Sequence, residues 1–456
     1  MKNIFLILIL SCVLFSCGDN NTPAPPAAIP PLLVSSAPQN NAQNIPAGNI
    51  VISLTFDQNV ICPSEGQPTI TLSGGANITK ISYNSATPVI SIYAENLEYD
   101  KTFQLVVPKG GIKSTGKIDA EAVSLTFSTE KKPESNISPN LCTENPSAEA
   151  VELYNYLKSI YGQKTLSGAV ARVAWNTDEA ERVNRWTGKF PKINTFDYIH
   201  LWASPANWID YGNISVVENW HNAGGIVGAM WHWNVPKSET SAATDLTYRP
   251  EETTFHPANA LVEGTWENAV MKADLEKTAN YLLLLKNKNI PVLWRPLHEA
   301  AGNTYAVGYQ GTAWFWWGRD GAEPFKNLWK YMFNYFKQKG LNNLIWVWTT
   351  EANDVPFYPG DEFVDIVGRD MYNVAGATAA AAQFRQIQAM FPHKMITLAE
   401  CGGVANIGEQ WAAGAKWLWF MPWYDFDAND ADSPPNIYAT KTWWQAAATN
   451  QNVVMR

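Results

Sequence analysis

"PVLWRPLHEA", residues 291–300, is the stretch on which the fold turns. It opens with the apolar letters of a buried segment, yet an arginine, a histidine and a glutamate crowd its end. A strand buried on both faces reads as a continuous apolar run, because parallel sheets are covered on each side. In a closed parallel barrel the C-terminal strand ends open onto one rim, and polar residues collect there. The same syntax recurs along the chain. Strands are predicted at "TLSGAV" (165–170), "KINTFDY" (192–198), "GGIVGAMWHW" (224–233) and "IPVLWRPLHE" (290–299). Four more follow at "NNLIWVWTTE" (342–351), "VDIVGRDMY" (364–372), "KMITLAECG" (394–402) and "KWLWFMPWYD" (416–425).

Helical candidates lie between these runs, among them residues 266–289 and "PFKNLWKYMFNYFKQKG" (324–340), closed by Gly340. Eight β-then-α units within residues 146–456 predict an α/β domain, a (β/α)8 TIM barrel. A doubly wound open sheet is the competitor. It wants a glycine-rich phosphate turn after an early strand, and none is present.

Residues 32–129 have another texture. "VISLTF" (51–56), "TITLSG" (69–74), "VISIY" (89–93), "TFQLVV" (102–107) and "VSLTF" (123–127) alternate apolar with polar letters between Gly, Asn, Pro and Asp. Short period-two strands at that spacing predict an all-β sandwich. With "NLEYDKTFQLVVPKGGIKS" the stretch resembles the bacterial immunoglobulin-like domains of surface lipoproteins. It contains no tryptophan, so a spacer is the first reading and a sugar-binding module the second. "EKKPESNISPN" (130–140) opens a linker over residues 130–145. The chain is therefore multi-domain.

At the N-terminus Lys2 precedes the apolar run from Ile4 to Phe15, too short to cross a bilayer, so residues 1–16 read as a signal peptide. "LFSC" (14–17) resembles a bacterial lipobox, which implies cleavage before Cys17 and acylation of its thiol. Ordinary secretion with Cys17 incidental is the alternative. A Pro-rich tether over residues 17–31 would then hold the domains away from the membrane. The location expected from these features is the bacterial cell envelope, lipid-anchored at the outer membrane and periplasmic or surface-facing.

Net charge is -9 and no basic run appears, so a nucleic-acid partner is not expected. Beyond Cys17 only Cys62, Cys142 and Cys401 remain, without a CxxC pair or a Cys/His cluster. His298-Glu299 begins an HExxH pattern that fails at Gly302. The sequence thus suggests no metal and no organic cofactor.

Among the polar strand ends, Glu299 and Glu400 close the fourth and seventh strands, which face each other across a barrel mouth. Two carboxyls about 5–5.5 Å apart perform glycoside hydrolysis with retention, one as nucleophile and one as acid/base. Glu400 would attack and Glu299 would protonate the leaving oxygen. Arg295 and Tyr372 are candidates to keep Glu400 ionised. Asp197, Glu351 and Asp370 also lie at strand ends, and Asp370 or Glu351 could replace either partner. A pyranose offers C–H faces that flat indoles accept. Trp233, Trp314 and Trp423, near strand ends, are candidate platforms, whereas Trp346 and Trp348 read as packing. His232 and His298 could be ligands or satisfied core histidines.

"VLWRPLHEA", "WFWWG" (314–318), "GRDMY" and "TLAECG" together resemble glycoside hydrolase family 26, over about residues 146–450. The resemblance implies a retaining barrel enzyme acting on β-1,4-mannan, glucomannan or galactomannan. It implies that Glu299 is the acid/base, with His298 before it, and Glu400 the nucleophile. It further implies that Tyr372 bonds the nucleophile, that His232 contacts substrate, that Trp314 is the aromatic after the acid and that Trp423 is the eighth-strand platform. One departure is the longer spacing, "AAGNTYAVGYQGTA" (300–313), between Glu299 and Trp314. Activity on mixed-linkage β-glucan or β-1,3-xylan, or a non-catalytic glycan-binding lipoprotein, are the other readings.

Overall fold

The computed structural model describes residues 29–63, 69–131, 136–172, 174–302, 313–425 and 438–456. Cys17, the leader and nearly all of the tether lie outside the described residues, as do residues 303–312 of the long spacing. The chain divides into two compact units, Met1–Ser135 and Asn136–Arg456.

The first unit is a sandwich of two four-stranded sheets, as the alternating letters predict. One orders its strands Leu33–Ala37, Gly48–Phe56, Val89–Leu97 and Asn77–Tyr83; the other Ala42–Ile45, Val123–Thr129, Thr102–Val107 and Thr71–Leu72. Along Gly48–Phe56 the side chains of Ile52, Leu54 and Phe56 point inward to Ile90, Ile92, Phe103, Leu105 and Phe127. The intervening Val51, Ser53 and Thr55 face outward, which is the period of two at work. Of "TITLSG" only Thr71–Leu72 is strand.

The second unit is a closed parallel barrel. Its strands are β1 (Thr165–Val170), β2 (Ile193–Asp197), β3 (Ile226–Trp231), β4 (Val292–Pro296), β5 (Leu344–Thr350), β6 (Ile366–Tyr372), β7 (Met395–Gly402) and β8 (Trp419–Pro422). Each pairs in parallel with the next, and β1 closes the ring by pairing with β2 at Gly168↔Ile193 and with β8 at Leu166↔Trp419. A short C-terminal strand, Val453–Val454, lies alongside β1.

Alternation splits each strand between two cores. On β5, Ile345 and Val347 join the interior cluster with Val170, Ile226, Leu293 and Ile366. Trp346 and Trp348 point the other way into the layer beneath the helices. The helices are α1 (Ala148–Ile160), α2 (Asp178–Thr187), α3 (Ser215–Asn222), α4 (Pro257–Ala260), α5 (Trp266–Lys286), α6 (Ala322–Gln338), α7 (Ala377–Met390), α8 (Ile407–Ala412) and α9 (Lys441–Thr449). In α6 the buried residues Phe325, Leu328, Trp329, Met332, Phe333 and Phe336 recur every three or four positions, one helical stripe. Trp329, Phe333 and Phe336 bring their rings within 5.0–6.1 Å of Trp346.

Helix α1 precedes the barrel. Ser147 caps it by accepting from the Ala150 N–H. Its Ala150, Leu153, Tyr154 and Leu157 join the interior cluster, so α1 plugs the N-terminal pole and leaves the C-terminal pole to the loops. Residues 136–145, read from sequence as linker, belong to this unit: the Ser138 N–H donates to His393 O at 2.9 Å and the Cys142 N–H to Asp365 Oδ1 at 2.6 Å.

One predicted unit differs. No α-helix joins β5 to β6; two short 3₁₀ turns, Val355–Phe357 and Asp361–Phe363, take its place. The segment holds Pro356, Pro359 and Gly360, and each proline removes a helix donor and clashes with the preceding turn.

Candidate active site

At the C-terminal pole four strands converge on one guanidinium. Arg295, on β4, is buried; its Nη1 donates to Asp370 Oδ2 on β6 at 2.9 Å and to Thr349 Oγ1 on β5 at 3.2 Å. Its Nη2 donates to Glu400 Oε1 on β7. Burial works against the charge of Arg295, but Asp370 and Glu400 hold its pKa above the ordinary value. The pairing of β6 with β7 slips between Arg369↔Leu398 and Asp370↔Glu400, skipping Ala399. Such an irregularity re-aims side chains, and here it sets Asp370 level with Glu400.

The acid of β4 arrives differently from the sequence expectation. The strand ends at Pro296, and Glu299 follows in a turn where Leu297 (φ 49°) and Glu299 (φ 51°) both take left-handed backbone conformations. Non-glycine residues pay a steric cost there, and such strain concentrates at functional sites. The turn swings the Glu299 carboxyl into the mouth. One oxygen each from Glu299, Asp370 and Glu400 lie within 4.8 Å of one another. Three acids this close could also suit a cation, but Arg295 already stands between two of them.

Their electrostatics are unequal. Burial, then the charges of Asp370, Glu400 and Glu351, push the Glu299 carboxyl well above the usual carboxylate range, with Arg295 opposing. Burial and the Asp370 charge also raise Glu400, but Arg295, His232 and the Tyr372 hydroxyl oppose them, leaving it at about 7. Tyr372, at the end of β6, donates its O–H to Glu400 Oε2 at 2.9 Å. Burial and the neighbouring carboxylates raise its own pKa, so it remains a donor.

Two histidines line the same mouth, their rings 4.5 Å apart and edge to face. His232 follows β3 and bonds Asp197 of β2 twice, Nδ1 to Oδ2 at 2.6 Å and N–H to Oδ1 at 3.1 Å. Burial opposes charge on His232, yet Asp197 raises its pKa overall. Burial, Arg295 and His232 depress His298 well below the ordinary value, so it is a neutral ring. Its backbone carbonyl accepts from Trp317 Nε1 at 2.9 Å.

The aromatic candidates separate. Trp423, half-buried after β8, stacks on Tyr424 at 5.2 Å and lies 5.9 Å from His232. Trp314 is exposed, and its ring lies over Gly302, where an added Cβ would come within 2.4 Å of it. Trp233 does not offer a face to solvent. It is fully buried, stacked on Trp231 at 4.1 Å, with its Nε1 donating to Asp274 Oδ2 at 2.7 Å. The alternation that turns His232 toward the mouth turns its neighbour outward into the helix layer. As expected of packing residues, Trp346 and Trp348 are buried in that same layer.

The rival acids also find places. Glu351 accepts from Arg369 Nη1 at 2.8 Å, Asp197 holds His232, and Asp370 accepts from Arg295 within the same cluster as the two glutamates. Sequence reasoning passed over Phe315. Its ring stacks on Trp317 at 4.4 Å and approaches His298 at 4.9 Å and His232 at 5.8 Å. The signal was inside "WFWWG", but periodicity does not tell which of four adjacent aromatics turns inward.

A parallel barrel with clustered, unequally charged acids at its C-terminal rim and aromatic rings beside them is the build of a glycoside hydrolase. The chain belongs to glycosyl hydrolase family 26, whose model matches residues 142–446; a bacterial Ig-like domain model matches residues 27–129. A mannan endo-1,4-β-mannosidase of Thermothelomyces thermophilus is 33% identical over 390 residues, 82% of this chain and 74% of that one. Mannan endo-1,4-β-mannosidase B of a Piromyces species is 31% identical over 320 residues, 67% of this chain, which spans only 52% of that relative's length. Among solved structures, the family 26 domain of an endo-β-mannanase/endo-β-glucanase from Prevotella bryantii superposes with a TM-score of 0.65 at 42% identity, over 70% of this chain and 98% of that one.

Proposed function

We propose that the protein is a retaining endo-β-1,4-mannanase that cuts internal bonds of mannan, glucomannan or galactomannan. The observation that carries the reading is the approach of the Glu299 and Glu400 carboxyls to within 4.8 Å, close to the separation of about 5–5.5 Å that lets one carboxylate attack while the other donates a proton. Glu400, held by Arg295 and Tyr372, attacks the anomeric carbon as a carboxylate. Glu299, whose pKa is raised further, protonates the departing oxygen and then takes a proton from the water that releases the sugar. His232, His298, Phe315 and Trp423 surround the sugar ring at the cleavage point, with Trp314 at its edge. The names of the relatives support mannan as the polymer.

Exchange of either glutamate for Gln tests these roles. E299Q and E400Q should each lower kcat on β-mannan by at least about a thousandfold while substrate binding persists. Proton NMR of early products should show β anomers; α anomers, or wild-type activity confined to lichenan or β-1,3-xylan, would defeat the proposal.

We also infer that the chain is a lipoprotein of the bacterial envelope, acylated at Cys17. What supports this is the sequence alone: the apolar leader, "LFSC" and the Pro-rich stretch behind it. C17S should fail to incorporate labelled palmitate and should leave the membrane fraction, whereas unchanged labelling would sink the idea.

A further inference from the structure

Among the described barrel residues three large aromatic side chains are exposed: Trp208 at 59%, Trp314 at 43% and Trp202 at 39%. All three sit on loops that follow C-terminal strand ends. Trp314 follows β4 beside the acids, whereas Trp202 and Trp208 lie on the loop between β2 and α3. The opposite pole, sealed by α1, exposes no large aromatic among the described residues. Water-facing indoles gathered on one rim of a barrel call for a ligand, since isolated exposed apolar residues scatter and a cluster marks an interaction site.

The loop holds its two indoles as a unit. Their rings lie 6.3 Å apart at 59°, and His200 sets its ring edge-on against Trp208 at 4.9 Å. Burial lowers the His200 pKa, so that ring is neutral at neutral pH. Hydrogen bonds tie the loop to the active site. The His200 N–H donates to the Tyr211 hydroxyl at 3.1 Å, and that hydroxyl donates to Asp197 O at 2.7 Å. Asp197 is the residue that grips His232. Asn234 Nδ2, just past His232, donates to Ile199 O at 2.8 Å. Ser204 Oγ accepts from the Tyr211 N–H at 3.0 Å and donates to Tyr281 OH at 2.9 Å. The backbone that carries the indoles is thus tied to the catalytic mouth before any ligand arrives, which spares part of the ordering cost of binding.

The chemistry of the loop narrows the ligand. Residues 198–214, "YIHLWASPANWIDYGNI", contain no lysine or arginine, so nothing there recruits an anion. Asn207 and Asp210 are exposed beside Trp208 and suit hydroxyl groups. Flat apolar faces rimmed by neutral or acidic acceptors match a neutral pyranose chain.

We propose that Trp202 and Trp208 form a distal sugar platform that holds mannosyl units of the polymer beyond those at the carboxylates. It rests on the mannanase reading above. The test is chain-length dependence. In W208A and W202A/W208A, KM for β-mannan should rise about five- to tenfold, the worth of one or two stacking contacts. Turnover of mannotriose should stay within twofold and the melting midpoint should not move. W208F should restore most of the affinity. In an E400Q background the same substitutions should weaken retardation in galactomannan gels. Unchanged KM on the polymer overturns the platform, and so does an equal loss on triose and polymer, which would mean a structural role through Tyr211. A wild type inert on every β-mannan instead defeats the substrate reading, so the two failures are distinguishable.

Discussion

Arg295 bonds two carboxylates, and the third acid of the cluster, Glu299, feels their charge. Removing Arg295 would strand two buried acids, at a cost of about 3–5 kcal/mol for a broken buried pair, so its replacement would report on folding as much as on chemistry. Tyr372 is the cleaner probe. Its hydroxyl lowers the Glu400 pKa, which burial still leaves raised at about 7 with that hydrogen bond in place. Y372F should therefore raise that pKa further, and the carboxylate needed for attack would be lost at a higher pH. A hydrogen bond to a charged group is worth about 1.5–3 kcal/mol and one pKa unit about 1.4. The acidic limb of the kcat/KM profile should accordingly move up by roughly one unit, while the alkaline limb, governed by the higher-pKa Glu299, moves less. The limbs belong to the pair as a coupled system. An acidic limb that stays in place, or moves down, contradicts the donation from Tyr372.

The strand ends show how much of the molecule was legible as elements. All eight barrel strands fall inside the stretches predicted from continuous apolar runs, because burial on both faces leaves no other text. Where the strands stop was less legible. β4 ends at Pro296 and β3 at Trp231, so Glu299 is presented by a turn and His232 by the first residue past its strand. Turn conformation depends on tertiary packing, which single letters do not record. Trp233 was misplaced for a related reason: beyond the strand end the sequence does not tell inward from outward, and only the observed alternation sends it to Asp274. Glycine at the end of β7 carries a testable consequence. A Cβ on Gly402 would stand 2.3 Å from the Tyr438 ring and 2.9 Å from that of Tyr372. G402A should push Tyr372 off Glu400 and lower kcat by about a hundredfold, the usual penalty for a displacement near 1 Å. Circular dichroism and a melting curve would establish that the barrel still folds; undiminished kcat would mean the ring has room to yield.

Taken whole, the chain is two units, each with a hydrophobic core of its own. The compositional break between them was plain in the sequence, since every tryptophan falls on one side of it. The boundary itself was not, because residues 136–145 look like linker yet pack on the barrel through main-chain bonds. A chain beginning at Asn136 should keep the barrel's melting midpoint within a few degrees and its kcat on soluble manno-oligosaccharides within twofold. Calorimetry of the two lengths would check this, and a large fall in midpoint would show the units to be energetically dependent. At the rim, the Trp314 ring lies against Gly302, three residues past Glu299, and leaves no room there for even a methyl group. Position 302 therefore works as a gauge: whatever residue stands there decides how far the indole beside the acid must be displaced.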